Sequence, residues 1–295
     1  MSARAAPVDL SGRRVVVTGA SPGSLGAATA RALADWNAHV VITTRSDAQD
    51  AAHAIGNGVA GHSLDLTDTS SVDAFADWYA EEHDALDVLI NNAGIHLDLR
   101  AKWTQPHLSA DGHEIHWRTN YLGTMQLTHR LLPLLERAAR TSGDARVVNV
   151  VSKLYARGRN EFLFAPLTPY HSWDAYGLSK LALVHAANEI ARRYADAELR
   201  AYSLHPGSVY THIADRGLEG RRVLTAVRRV LAPLEARTLM SPEEGAQTSL
   251  HCATAPGLAV GYYRACAPAE PSEDARDSAV AARLWDETAA WVAAR

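Results

Sequence analysis

The sequence contains only two cysteines, Cys252 and Cys266, and they lie far apart in the chain. Neither belongs to a C-x-x-C pair, so the sequence predicts no disulfide scaffold and no cysteine-based zinc site, and it fits a reducing compartment. No apolar run approaches the length of about 18 residues that a transmembrane helix requires. The N-terminus, MSARAAPVDL, lacks the apolar stretch of a signal peptide. We therefore expect a cytoplasmic protein.

The sequence has no excess of basic residues, and its net charge is −4. This charge argues against nucleic-acid binding. Fourteen histidines are present, but the HEIH segment, with His113 and His116, lacks zincin spacing and an obvious third ligand. We therefore predict no metal site. A chain of 295 residues with 47% hydrophobic residues can bury one sizeable core, and we expect a single domain over residues 1–295.

Short β-branched runs alternate with segments that have helical spacing of apolar residues. Strands are predicted at 14–19, 39–43, 59–64, 87–91, 146–151 and 200–205, and helices within 25–36, 70–83, 111–140 and 175–195. Most of the strands are apolar on both faces, as in a buried parallel sheet. The alternation predicts an α/β protein with a doubly wound parallel sheet of the Rossmann type, which binds ligands at the carboxyl ends of its strands.

A glycine-rich turn, TGASPGSLG, follows the first predicted strand and leads into the first predicted helix. Gly19, Gly23 and Gly26 allow a tight turn and let the backbone approach a pyrophosphate, and a helix starting near Leu25 would direct its amide groups at the phosphates. A plain loop between strand and helix is the alternative. The position of the turn favours dinucleotide binding.

The second predicted strand ends in TTRS, where a carboxylate would hold the 2′-hydroxyl group of NAD. Thr44, Arg45 and Ser46 stand there instead, and an arginine can bind a 2′-phosphate through several charged hydrogen bonds. A solvated arginine is the alternative interpretation, and Asp47 lies close by. We expect NADP(H) to be preferred over NAD(H).

Seven motifs occur in the order typical of one enzyme family. They are TG-x-x-x-G at 18–23, Asp65-Leu66, NNAG at 91–94, Asn120 in NYLG, Ser152, YGLSK at 176–180 and HPGSVYT at 205–211. The chain thereby resembles the short-chain dehydrogenase/reductase family over nearly its whole length. Segments such as AYGLSKLALV and SPEEGAQTSLHCAT are most similar to its retinol-dehydrogenase-like branch.

The resemblance implies an NAD(P)-dependent oxidoreductase and assigns candidate site residues. The candidate cofactor contacts are Gly19, Ser21, Gly23, Ser24, Leu25 and Gly26 in the turn, then Arg45, Asp65, Leu66, Asn92, Ala93, Gly94, Pro206, Gly207, Val209 and Thr211. The candidate catalytic residues are Asn120, Ser152, Tyr176 and Lys180. By resemblance, Asn120 anchors a water that relays protons, Ser152 holds the substrate oxygen and Lys180 binds the nicotinamide ribose.

The residues themselves suggest chemistry for Tyr176 and Lys180. Positions i and i+4 share one helix face, so both side chains can point into one cleft. An ammonium group near a phenol lowers the phenol pKa, which would suit Tyr176 for general acid–base catalysis. For a Tyr-x-x-x-Lys pattern alone, an amphipathic helix with an exposed lysine is the simpler interpretation.

The sequence departs from the family pattern in three places. Leu25 stands where a glycine is usual, the pair of serines after the fifth strand is Val151-Ser152, and segment 153–175 is longer than in the core family. This extra segment is expected to loop out near the substrate. The retinol-dehydrogenase-like branch has a similar extension.

Aromatic residues near the expected site suggest a lipophilic substrate. Candidate substrate contacts are His96, Phe164, Tyr170 and Tyr210, although core packing could explain each aromatic residue and His96 could be a simple loop residue.

Segment 220–234 has a basic amphipathic pattern, and it falls within a substrate lid expected at about 208–240. A membrane-surface contact or a packed helix are the alternatives.

These inferences predict an NADP(H)-dependent enzyme that interconverts a carbonyl and a primary or secondary alcohol on a lipophilic small molecule. A non-catalytic dinucleotide-binding sensor and a reductase of activated double bonds are alternatives on the same fold. The family often pairs subunits through the helices that correspond to 111–140 and 175–195, so the resemblance implies a homodimer or homotetramer.

Overall fold

The computed structural model describes residues 4–97, 103–209 and 240–295, which contain one eight-stranded sheet. The strand order is β3-β2-β1-β4-β5-β6-β7-β8, and only β8 runs antiparallel to its neighbour. The strands are β1 Arg14–Thr18, β2 His39–Thr44, β3 Ala60–Ser63, β4 Val88–Asn91, β5 Ala145–Val150, β6 Leu199–His205, β7 Gly261–Arg264 and β8 Ala267–Pro268. The order reverses between β1 and β4, which is the switch point of a doubly wound sheet.

Helices cover both faces of this sheet. They are α1 Leu25–Asp35, α2 Ala48–Ile55, α3 Thr69–Glu82, α4 Thr124–Ser142, α5 Ser172–Arg193, α6 Pro242–Thr254 and α7 Ser278–Ala293. A π-helix, Trp117–Gly123, leads directly into α4. No helix in the described ranges is both long enough and apolar enough to span a membrane.

Alternate residues of each central strand pack into different cores. Val16, Val41 and Leu89 face the core beneath α3, α4, α5 and α7. Val15 and Ile42 face the second core, beneath α1, α2 and α6. Side chains of a strand alternate between its two faces, so strands buried on both sides must be apolar at successive positions. The predicted doubly wound α/β fold is therefore confirmed.

The predicted helix at 111–140 is partly wrong. Residues 111–114 close a turn in which Leu108 pairs with Glu114, and helical residues start at Ile115, two positions before the π-helix. Segment 220–234, most of the expected lid, and the candidate residues Tyr210 and Thr211 lie outside the described residues. The elements α2, α6, β7, β8 and α7 were not predicted. Four of these five elements follow β6, in the last part of the chain.

Candidate active site

A cleft of about 440 Å³ opens at the carboxyl ends of the central strands. Six strands contribute to it: Gly19 follows β1, Arg45 follows β2, Asp65 follows β3, Asn92 to Ile95 follow β4, Ser152 follows β5 and His205 to Val209 end or follow β6. The carboxyl ends of parallel strands meet at the same edge of the sheet, so motifs that are distant in sequence converge here.

The glycine-rich turn brings backbone close to the neighbouring strand. Gly19 has a φ of +70°, and a Cβ atom there would lie 2.7 Å from Cα of Ala93. A Cβ at Gly26 would lie 2.6 Å from Nδ2 of Asn92. Both positions therefore require glycine because the chain has no room for a side chain. Gly26 therefore allows α1 to pack closely against the end of β4, although it stands one position later than the last glycine of the usual family motif.

The N-terminus of α1 faces the cleft. Ser24 caps the helix by accepting a hydrogen bond of 3.2 Å from the backbone N–H of Ala27, and Ser21, Ser24 and Leu25 line the cleft. The first amide groups of a helix carry partial positive charge and bind phosphate. Gly23 and Gly26, both predicted to contact the cofactor, are not part of the cleft wall. Their role is to shape the turn.

The ends of β2 and β3 form the next part of the wall. Arg45 is exposed and lines the cleft beside Thr44. Asp65 accepts hydrogen bonds of 2.8 Å and 2.7 Å from the backbone N–H and the hydroxyl of Thr67, which fixes the loop containing Leu66. Asp65 and Leu66 both line the cleft, as expected.

Asn92 ties the end of β4 to the glycine turn. Its side-chain amide donates hydrogen bonds of 2.8 Å to the carbonyl oxygen of Thr18 and 3.1 Å to that of Gly19. Ala93 and Gly94 continue the cleft wall, and Pro206, Gly207 and Val209 close it after β6. These contacts hold the ends of β1 and β4 together, so Asn92 has a structural role as well as its place in the wall.

Helix α5 carries Tyr176 and Lys180 one turn apart, and both line the cleft. The Lys180 ammonium donates a hydrogen bond of 3.2 Å to the carbonyl oxygen of Val150, the last residue of β5. Ser152, two residues further on, forms a side-chain hydrogen bond with Tyr176 and lines the same wall. The structure thus brings three of the four predicted catalytic residues together.

The pKa of Tyr176 is shifted upward overall, opposite to the net lowering expected from the nearby Lys180. Burial raises the pKa of Tyr176 to about 12, and the hydrogen bond from Ser152 offsets only part of this effect. Burial also lowers the pKa of Lys180 to about 8. Removing either group from water disfavours its charged form. Lys180 directs its hydrogen bond to Val150, and the nitrogen lies 5.9 Å from the centre of the Tyr176 ring.

Asn120, the fourth predicted catalytic residue, is fully buried behind the cleft and is not part of its wall. Its amide nitrogen donates hydrogen bonds to the carbonyl oxygen of Ile95 at 3.0 Å and to the hydroxyl of Ser179 at 3.1 Å. Its amide oxygen accepts from the backbone N–H of Ile95 at 2.8 Å. Asn120 therefore fastens the loop after β4 to α5.

Three candidate substrate contacts do not lie on the cleft wall. His96 is buried against the ring of Tyr176, with the ring centres 4.5 Å apart. Arg283 lies 3.7 Å above the ring of Phe164, and the hydroxyl of Tyr170 donates a hydrogen bond of 3.0 Å to Oε1 of Glu114. His96 packs on Tyr176, a residue of the cleft wall, whereas Phe164 and Tyr170 contact Arg283 and Glu114, and the predicted substrate contacts stay predictions. The fourth candidate, Tyr210, is not described.

Sequence reasoning missed several residues that line the cleft, among them Leu97, Ile115, Lys153 and Leu154. Lys153 and Leu154 directly follow Ser152 and could have been found from that proximity. Ile115 was not identified, because helical spacing of apolar residues does not show which of them faces a cleft. Leu97, Ile115 and Leu154 contribute apolar side chains to the cleft lining.

The described residues fit a dinucleotide. Gly19 leaves room for a close approach to backbone, α1 presents its N-terminus, and Arg45 supplies a positive charge at the end of β2. At the other end of the cleft, Lys180 and Tyr176 are available to a ribose and a reacting group. Across residues 4–97, 103–209 and 240–295, no cluster of histidine, cysteine and acidic residues could hold a metal ion.

Comparison with known proteins gives concordant results. The family model described as short chain dehydrogenase matches residues 13–221. Retinol dehydrogenase 12 of Bos taurus is 37% identical over 290 residues, covering 95% of this chain and 86% of the relative. Retinol dehydrogenase 11 of Homo sapiens is 36% identical over 290 residues, covering 95% and 85%. The crystal structure of an uncharacterized protein from Mycobacterium paratuberculosis superposes with a TM-score of 0.73 at 32% identity, covering 97% and 95%.

Proposed function

The chain belongs to the short-chain dehydrogenase/reductase family, in its retinol-dehydrogenase-like branch, and we propose that it is an NADP(H)-dependent enzyme acting on a lipophilic carbonyl or alcohol. Family membership makes it an NAD(P)-dependent oxidoreductase that interconverts carbonyl and alcohol groups. The proposal adds the choice of NADP(H), the lipophilic substrate and the roles of individual residues.

The observation that carries the proposal is the convergence of Ser152, Tyr176 and Lys180 on one wall of the cleft. In reduction, the Tyr176 phenol donates its proton to the substrate oxygen, and in oxidation it takes that proton back. The Ser152 hydroxyl holds the same oxygen beside the phenol. Bound nicotinamide supplies or accepts the hydride. A pKa of about 12 keeps Tyr176 protonated at neutral pH, which suits the reductive direction.

The positive charge of Lys180 assists the proton transfer by Tyr176. Its ammonium lies between the end of β5 and the Tyr176 ring, where it can bind a ribose hydroxyl and stabilise the phenolate left after proton transfer. Asn120 contributes from behind the wall, where it holds the loop after β4 and Ser179 of α5. The water relay assigned to Asn120 by resemblance stays a proposal.

The preference for NADP(H) rests on Arg45. Its side chain is exposed at the cleft end of β2, where an adenosine ribose is bound in this fold, and a guanidinium binds phosphate through paired charged hydrogen bonds. The remaining contacts are proposed for the α1 N-terminus, Asp65 and Leu66, with Thr211 lying outside the described residues.

A lipophilic substrate is supported by Leu97, Ile115 and Leu154, which line the cleft close to Tyr176. The similarity to retinol dehydrogenases agrees with a long apolar molecule. We further propose a single-domain protein that works in the cytoplasm as a homodimer or homotetramer, with segment 208–240 as a substrate lid.

The proposal is tested with the purified full chain, NADPH or NADH, and a panel of retinal, a long-chain aldehyde, an aromatic ketone and an enone. We expect NADPH to be consumed with the lipophilic carbonyls and the product to be the alcohol. Saturation of the enone double bond with no alcohol formed would instead indicate a double-bond reductase. Cofactor binding without turnover of any compound would indicate a sensor. Tyr176→Phe must abolish turnover and retain cofactor binding, and full activity of this variant would overturn the proposal.

A further inference from the structure

The ring of Tyr176 packs against a buried imidazole. The centres of the His96 and Tyr176 rings are 4.5 Å apart, with an angle of 32° between their planes. His96 is 3% exposed and also meets the edge of Trp173 at 4.8 Å, almost perpendicular at 88°. His96 is therefore fixed between two aromatic rings of α5, behind the cleft wall.

A second histidine completes this cluster. The His116 ring is fully buried and lies 5.7 Å from the His96 ring and 6.1 Å from the Tyr176 ring, centre to centre. Its Nδ1 atom lies 2.8 Å from Oε1 of Glu114, and its Nε2 atom accepts a hydrogen bond of 3.2 Å from the backbone N–H of Leu97. An Nε2 that accepts implies that Nδ1 carries the proton and donates it to the carboxylate.

Glu114 links the segments that surround Tyr176. Its carboxylate accepts hydrogen bonds from Tyr170 at 3.0 Å, in the loop before α5, and from the backbone N–H of Trp117 at 2.8 Å, at the start of the π-helix. Through His116 it also holds Leu97, the residue that follows His96. Burial raises the pKa of Glu114, but the interactions with His116 and the backbone N–H of Trp117 outweigh it and hold the pKa below its usual value.

We propose that His96 is a positioning residue for Tyr176, and that the Glu114–His116 pair holds His96 in place. This inference rests on the proposed function and explains how the phenol is aimed. The imidazole limits rotation of the Tyr176 ring, so the hydroxyl stays beside Ser152. His96 acts through the Tyr176 ring and is not itself among the residues that line the cleft.

The orientation of the Tyr176 ring matters because the rate of proton transfer is sensitive to small displacements of the hydroxyl from the substrate oxygen. A ring pair of this type is stabilised beyond the effect of the area that it buries, and this favours one orientation of the Tyr176 ring. A misplacement of about 1 Å can reduce a catalytic rate on the order of a hundredfold. Removing the imidazole should therefore lower kcat and leave the distant adenosine end of the cleft unaffected.

The test compares His96→Leu with His96→Phe in NADPH-dependent carbonyl reduction by the full chain. Leucine fills a similar volume without a flat ring, and phenylalanine restores the flat ring. We expect His96→Leu to lower kcat about tenfold or more, with the KM for NADPH changed less than about twofold. His96→Phe should recover most of this loss, because stacking, and not titration of the imidazole, holds the phenol.

A matched control is His129→Leu. His129 is also mostly buried and packs on an aromatic ring, that of Trp285, at a centre-to-centre distance of 4.4 Å on the α4 and α7 side of the molecule. Its substitution should lower Tm and leave kcat unchanged. If His129→Leu lowers kcat as much as His96→Leu does, the effect is a general response to lost packing and the proposal is wrong.

Glu114→Gln tests the support for His96. This variant should lower kcat by a smaller factor, and the double variant with His96→Leu should lose less than the product of the two single effects. The proposal is overturned if His96→Leu keeps full kcat, or if His96→Phe is as impaired as the leucine variant. Should His96→Leu fail to fold, an unchanged kcat in Glu114→Gln overturns it. An active Tyr176→Phe in the same assay would instead refute the proposed function.

Discussion

A Cβ atom at Gly94 would lie 2.9 Å from Nζ of Lys180 and 3.3 Å from Oδ1 of Asn120. Gly94 is thus the position that leaves room for the buried ammonium between the loop after β4 and α5. This relationship explains why glycine stands in the cleft wall beside Lys180. A substitution at Gly94 should therefore change the activity of the enzyme without a comparable change in its stability.

Gly94→Ala should lower activity much more than stability. The added methyl group displaces the end of the Lys180 side chain, which can move, whereas the backbone at Gly94 has no positive φ and needs no change. We expect kcat/KM to fall at least about tenfold and the free energy of unfolding to fall by less than about 2 kcal/mol. Steady-state kinetics and urea unfolding measure the two quantities.

The matched control for this glycine is Gly143→Ala. Gly143 ends α4 with a φ of +69°, and a Cβ there would meet nothing within 4 Å. The alanine is strained by backbone conformation alone, so stability should fall by about 1 kcal/mol while activity is unchanged. The opposite pattern, with activity lost only at Gly143, would contradict the role assigned to Gly94.

Lys180→Met should stabilise the protein at pH 7 while it abolishes turnover. Burial lowers the pKa of Lys180 from 10.5 to about 8, so the native state disfavours the charge that the unfolded chain retains. Removing that charge should raise the free energy of unfolding by up to about 3 kcal/mol. The loss of the hydrogen bond to Val150 offsets part of this gain.

The gain from Lys180→Met should also depend on pH. Below pH 8 the lysine is charged in both states and its full penalty is present, and between pH 8 and 10.5 the native state binds fewer protons than the unfolded state. The difference from wild type should therefore shrink as the pH rises through this window. Chemical unfolding at pH 7 and near pH 10 measures it, and a constant difference would show that charge burial is not the cause.

Carbonyl reduction should lose rate above about pH 8. In the proposed mechanism the step needs a protonated Tyr176 and a charged Lys180, and these forms exist below pKa values of about 12 and about 8 respectively. The lysine therefore loses its required form first as the pH rises. We expect kcat/KM to be level towards neutral pH and to fall in the alkaline range. A rate that stays level to pH 10 would exclude Lys180 as the group that limits activity.

Arg45→Ala should weaken the use of NADPH selectively. A charged hydrogen bond to phosphate contributes about 1.5–3 kcal/mol, so the KM for NADPH should rise about tenfold to a hundredfold while that for NADH changes little. Arg140→Ala is a control with the same change in net charge, because Arg140 is exposed on α4 and pairs with Glu136 at 3.4 Å. Equal effects of Arg45→Ala on both cofactors would refute the NADP(H) preference.

Some features of the site could be predicted from the spacing of residues that are close in sequence. The turn at Gly19 and the one-turn separation of Tyr176 and Lys180 depend on neighbouring residues only, and the structure places both at the cleft. The interpretation of 111–114 as helix failed because the backbone turns there and Glu114 pairs with Leu108.

The sequence by itself determined the parallel sheet, the glycine-rich turn and the Tyr-x-x-x-Lys helix, because periodicity and short-range sterics specify them. Only the tertiary structure decided how these groups behave. Lys180 meets a carbonyl 30 residues away in the chain, and His96 packs against a ring 80 residues further on. The raised pKa of Tyr176 and the lowered pKa of Lys180 follow from exclusion of water by distant segments. Desolvation is a property of the assembled core, and no local pattern encodes it.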